Sequence, residues 1–203
     1  YSGGVWFMKA LITLIFSLPI LLFGFSEQAA KSGQNVISGT AEIGGPFNLI
    51  NQDNLLVTEN DFLGKPQLIY FGFSYCPDIC PTALQKMGAV QEELDPDGDL
   101  INYLFISVDP ERDTSESLKL YVESGGFPKG LSGLTGSKEQ IDIAKLAFKV
   151  YSQKVTLSDS EADYTVDHSD IIYFMDENGI FKDFFFGRNT IQEIGQVLRK
   201  SVG

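Results

Sequence analysis

The sequence is poor in the residues that most often do chemistry. Its 203 residues include two cysteines, one tryptophan and a single histidine. A chain with so few sulfur and imidazole groups builds neither a zinc finger nor a four-cysteine cluster. Two cysteines close at most one disulfide, which excludes a small scaffold stapled by several bridges. Basic residues are scarce too: 15 Lys and Arg stand against 27 Asp and Glu, for a formal net charge of −12. No basic cluster breaks that balance, so no nucleic-acid partner is expected. A phosphate-binding glycine loop is also missing, because Gly125-Gly126 follows a helical pattern and not a strand. What the chain does have is apolar substance. It is 43% hydrophobic and 21% charged, which excludes a mostly disordered polymer and suits one ordinary domain plus a tail.

One run, Ala10 to Ser26, carries no charge; Lys9 precedes it and Glu27 ends it. Met8-Lys9 followed by an apolar run reads as a secretory signal or a short membrane anchor over residues 8–30, with Tyr1 to Phe7 as an upstream extension. The basic end stays in the cytoplasm, so the rest of the chain is exported to a compartment that permits disulfides. Residues 31–40 are rich in Gly, Ser and Gln and read as a linker to a domain over 41–203.

Within that domain, two short strands flank the turn Asn51 to Asn54 and form a small N-terminal hairpin. QLIYFGF, Gln67 to Phe73, has bulky residues on both faces and reads as a central strand covered on both sides. A helix runs to about Leu94 with Ala83, Leu84, Met87 and Val90 on its apolar face, and Pro81 suits its first turn. Leu100 to Val108 is the next buried strand. Asp113 with Glu116, Ser137 with Gln140 and Thr190 with Glu193 resemble capping boxes opening three further helices. The polar, acidic stretch Thr156 to Asp167 is expected as a mobile loop. Ile171 to Met175 and Phe181 to Phe186 form a hairpin around Glu177-Asn178-Gly179. The fold class is therefore α/β: a mixed central sheet with helices on both faces, in an order that fits the thioredoxin arrangement.

The chemistry converges on the cysteines. Cys76 and Cys80 directly follow the QLIYFGF strand, at the opening of a helix whose unpaired N–H groups favour thiolates. A separation of four places both sulfurs on one side of a helical turn. Such a pair can close a disulfide, structural or catalytic, or clamp a soft metal ion. His168, the only imidazole, lies in Asp167-His168-Ser169-Asp170 just before the IIYFM strand, on a rim that this topology brings toward the cysteine loop. Two thiolates and one imidazole suit Cu(I) best. Cu(II) fits with a fourth ligand, and zinc fits less well without one. Asp167 and Asp170 are candidates to orient the ring through its second nitrogen.

FGFSYCPDICPTALQKM, ISVDPERDT and VDHSDIIYFMDENGIF, in that order, resemble the Sco/SenC family, copper chaperones of cytochrome c oxidase assembly. The resemblance spans about Ile43 to Leu198. One departure is Ser115, where the family often has Pro; Ser opens a helix equally well. The resemblance implies a thioredoxin-like fold with Cys76, Cys80 and His168 as ligands of Cu(I) or Cu(II). It implies a domain on the periplasmic face of a bacterial inner membrane, anchored or released after signal cleavage. Its implied partners are subunit II of cytochrome c oxidase, with its binuclear copper centre, and another periplasmic copper chaperone or thiol reductant. Such a protein is a metallochaperone and not primarily an enzyme. The second class is a membrane-tethered thiol–disulfide oxidoreductase of the thioredoxin superfamily. Those enzymes carry Cys-x-x-Cys and a cis-proline, whereas here the spacing is one longer and His168-Ser169 stands where that proline is expected.

Overall fold

The computed structural model describes residues 42–158 and 163–202. The expected leader and linker, and the centre of the expected loop at 159–162, lie outside the described residues. No helix among the described residues is long and apolar enough to cross a membrane.

The core is a seven-stranded mixed sheet. Strands β1 (Asn48–Asn51) and β2 (Leu56–Thr58) make the expected N-terminal hairpin. They are followed by β3 (Gln67–Gly72), helix α1 (Ile79–Leu94), β4 (Asn102–Ser107) and α2 (Ser115–Val122). Then come β5 (Ser132–Thr135), α3 (Lys138–Phe148), β6 (Ser152–Thr156), β7 (Tyr164–His168), β8 (Ile171–Met175), β9 (Phe181–Phe186) and α4 (Ile191–Val202). The sheet order is β2-β1-β5-β4-β3-β8-β9, with β6 and β7 paired separately. β3 runs parallel to β4 and antiparallel to β8, so it is central, as its composition requires.

All six residues of β3 are buried. The strand's alternation sorts them between two faces. Phe71 packs on Phe148 of α3, ring centroids 5.3 Å apart, with Tyr173 of β8 beside both. On the opposite face a Cβ at Gly72 would point at Cys80 of α1 and Phe105 of β4, and Tyr121 of α2 packs on Phe105. Helices therefore cover both faces, and the expected α/β fold is what the chain adopts. α1 turns Ala83, Leu84, Met87 and Val90 inward, and α4 packs against it.

Three local readings change. β5 was not expected: SGLT is short and includes Gly133, where a Cβ would lie 2.8 Å from Val122 Cγ1 of α2, so close helix packing explains the glycine. Asp113 does not cap α2. Thr114 does, accepting from Ser117 N at 3.2 Å, while Asp113 is fully buried. The Ser137–Gln140 and Thr190–Glu193 boxes do form. Finally, the stretch expected as a mobile loop from Thr156 to Asp167 includes most of β7, which pairs with β6 in register from Ser152↔His168 to Thr156↔Tyr164. Polar strands in a two-stranded ribbon lack the apolar alternation by which a strand is recognised.

Candidate metal centre

The site forms where β3 ends. Its last residue, Gly72, accepts from Val108 N at 2.8 Å, after which the chain leaves the sheet. Cys76 N donates to the Phe73 carbonyl at 3.1 Å and closes a turn that lifts Cys76 to the mouth of α1. Asp78 is the N-cap residue, so Cys80 lies in the first helical turn and Cys76 just before the helix. The two cysteines are thus not stacked on one helical face. The turn brings them together, and Cys80 N donates to Cys76 Sγ at 3.5 Å. Both cysteines are free; Cys80 is fully buried and Cys76 is 8% exposed.

The turn is tied from below. Asp113 accepts from Ser74 Oγ at 2.5 Å, from Ser74 N at 3.1 Å and from Ser107 Oγ at 2.6 Å. Burial pushes this carboxyl up from its ordinary value, against the hydrogen bonds from the two serines. Sequence reasoning missed this role. The only available signal was an acidic residue near the end of a buried strand, where α/β folds place their sites.

His168 ends β7. Its Nε2 lies 3.2 Å from Cys80 Sγ, and its Nδ1 lies 3.1 Å from the Ser169 carbonyl oxygen. A carbonyl can only accept, so Nδ1 carries the proton and Nε2 presents its lone pair to the sulfurs. Neither expected orienting carboxylate holds the ring: Asp167 is exposed, and Asp170 accepts from Tyr70 Oη at 3.0 Å. Phe73 and Tyr70 frame the imidazole edge-on, at 5.7 and 6.0 Å between centroids. The donor atoms of Cys76, Cys80 and His168 all lie within 4.8 Å of one another. No other such cluster of metal-binding side chains occurs among the described residues.

The sulfurs share protons unequally. The Cys80 thiol donates to Cys76, and backbone amides at Asp78 and Cys80 assist, bringing Cys76 down to about 4 against its burial. Cys80 moves up, because it gives that hydrogen bond and is itself buried beside a thiolate. Burial first, then the nearby Cys80 and Asp170, push the Tyr70 phenol up as well. At neutral pH Cys76 is the thiolate of the pair and Cys80 the thiol. Two residues that sequence reasoning passed over shape it. Tyr70 lies against Cys80, and Gly72 leaves room for it: an added Cβ would meet Cys80 Sγ at 2.8 Å and Phe105 at 2.9 Å. A surface cavity of about 670 Å³ beside Lys119 and Phe127 lies elsewhere and includes no cysteine or histidine.

The SCO1/SenC family model matches residues 35–203. The mitochondrial SCO1 homologue of Homo sapiens is 42% identical over 169 residues, 81% of this chain and 54% of its own length. The chain spans about half the length of that relative and of the Arabidopsis thaliana one, but 93% of a SCO2-like protein of Rickettsia prowazekii, 36% identical. Among solved structures, Bradyrhizobium japonicum ScoI with copper bound is 41% identical with a TM-score of 0.70, covering 78% of this chain and 99% of that one. BsSco, described with a disulfide switch and as a member of the Sco family of cytochrome c oxidase assembly proteins, is 26% identical. Its TM-score is 0.62, covering 78% of this chain and 92% of that one. By sequence and fold, the chain belongs to the SCO1/SenC family.

Proposed function

We propose that this protein is a copper-binding assembly factor of cytochrome c oxidase, holding one copper ion between Cys76, Cys80 and His168. The observation that carries the reading is the convergence of two sulfurs and a correctly presented imidazole nitrogen within 4.8 Å. Thiolates suit soft Cu(I), and the imidazole extends the set to Cu(II). Copper entry displaces the proton that Cys80 retains; Cys76 already has a lone pair free.

The cargo goes to the binuclear copper centre of oxidase subunit II, with another periplasmic copper chaperone or a thiol reductant serving upstream. Residues 8–30 export the domain to the periplasmic face of a bacterial inner membrane, as a retained anchor or a cleaved signal. The same sulfurs can reduce a disulfide of the target. Cys76 attacks as thiolate and releases one target thiol; Cys80 then loses its proton and displaces the second, leaving a Cys76–Cys80 disulfide. The exposure difference supports Cys76 as the attacker. A thiol–disulfide oxidoreductase in its own right is the second reading, favoured by the low-lying Cys76 thiol.

Anaerobic copper titration of the reduced protein separates the two. The expected result is one copper per chain in the wild type, loss in Cys76→Ser and Cys80→Ser, and selective loss of Cu(II) in His168→Ala. Full copper retention by either cysteine variant overturns the site.

A further inference from the structure

The imidazole half of the site stands on a ribbon that shares no ladder with the main sheet. At its root, Ser169 N donates to Tyr151 O at 3.0 Å and Tyr151 N to Ser169 Oγ at 3.1 Å. Along β7 only Val166 is buried. The other end of β7 is seized by one residue of the body, Arg112.

The Arg112 guanidinium lies 3.8 Å from the centre of the Tyr164 ring, and its Nη1 donates to the Tyr164 carbonyl at 3.0 Å. Its Nε donates to Asp109 at 2.5 Å, and Asp109, fully buried, also accepts from Tyr164 Oη at 2.9 Å. Tyr164 is therefore held three ways by one ion pair. The guanidinium also stands 5.6 Å from the Phe73 ring and 4.9 Å from that of Tyr75, the segment whose turn presents Cys76. Its remaining nitrogen, Nη2, is buried without a hydrogen-bond partner. A guanidinium surrounded by ring faces is retained by cation–π attraction, the more so where it is desolvated. Phe73 in turn touches the His168 ring.

We propose that Arg112 is a positioning residue: through Tyr164 and Phe73 it clamps the histidine ribbon against the cysteine turn and sets the imidazole-to-sulfur distance. Lysine does not substitute, since it has neither the flat face nor the fork. The consequence for copper rests on the function proposed above, whereas the clamp itself acts in the copper-free protein.

The chain has one histidine, so its ring signals in isotope-labelled, reduced, copper-free protein are unambiguous. The wild type is expected to show proton–proton contacts from His168 to the Phe73 and Tyr70 rings. Arg112→Ala and Tyr164→Ala are expected to lose them; Tyr164→Phe, which keeps the ring under the guanidinium, retains them. Leu198→Ala, destabilising in distant α4, is the control for general loosening and retains them as well. With copper, Arg112→Ala is expected to bind Cu(II) about 10–100-fold more weakly, as for other residues that orient metal ligands, with a shifted sulfur-to-Cu(II) absorption and Cu(I) binding within about threefold of wild type. The proposal falls if Arg112→Ala and Tyr164→Ala keep the ring contacts at wild-type strength, or if Leu198→Ala loses them equally. Should Arg112→Ala fail to fold, the Tyr164 pair decides alone. A wild type that takes up no copper refutes the proposed function, while the ring contacts still decide the clamp.

Discussion

Cys80 lies under a strand whose six residues are all buried, whereas His168 ends a strand in which only Val166 is. The sulfurs are fixed by the core: displacing them means repacking Gly72, Phe105 and Tyr70. The imidazole is fixed by side-chain contacts on a two-stranded ribbon, a unit that has marginal stability by itself. Core-bound groups move only with the whole domain, and ribbon-bound groups open locally at much lower free energy. The difference teaches that the imidazole can leave this cluster while the two sulfurs stay.

The largest expected effect concerns chemical poise, which resides in the core-fixed half. The thiolate is the reactive form, and Cys76 lies near 4, so its alkylation rate is expected to stay level from about pH 5 to pH 8. An ordinary thiol near 8.5 gains about tenfold per pH unit there. Because Cys80 is the main cause, Cys80→Ala is expected to move the profile sharply upward and His168→Ala only slightly. Equal displacement in both variants would show that the ribbon contributes as much as the core. Next comes Gly72→Ala. The new methyl collides with Cys80 Sγ, Phe105 and Tyr70, for about 1–3 kcal/mol by urea denaturation together with weaker Cu(I) binding. Unchanged Cu(I) affinity would mean that the sulfur is less confined than its surroundings suggest. The smallest effect belongs to Lys154, which reaches Glu111 at 2.5 Å and lies 4.4 Å from the Tyr164 ring, but is largely exposed. Lys154→Ala is expected to leave the denaturation midpoint unchanged and to speed β7 amide exchange less than about twofold, because exposed pairs contribute little. A larger change would make the ribbon's outer side a second anchor.

The same division governs what the sequence discloses. β3, α1 and the β8–β9 hairpin were legible because burial on a sheet or helix imposes a period that survives as a pattern of apolar residues. Cys76, Cys80 and His168 were legible as the chain's only thiols and imidazole, and folding brings them together. The ribbon was not legible: Ser152 to Thr156 and Tyr164 to His168 are mostly polar, and their pairing is a ladder of backbone bonds that side chains do not announce. Asp113 misled for a related reason. Its spacing to Glu116 mimics a cap, and only the three-dimensional approach of Ser74 and Ser107 gives its carboxylate other work.

The Ser169 carbonyl that orients His168 gives the site a form of genetic robustness. Had Asp167 or Asp170 held the ring, one point mutation would have erased the choice of tautomer. A peptide oxygen belongs to every amino acid, so no side-chain replacement at 169 removes the acceptor itself; a change must redirect the backbone between β7 and β8. Drift at the neighbouring side chains can thus alter the ribbon's grip and leave the nitrogen facing the sulfurs the same.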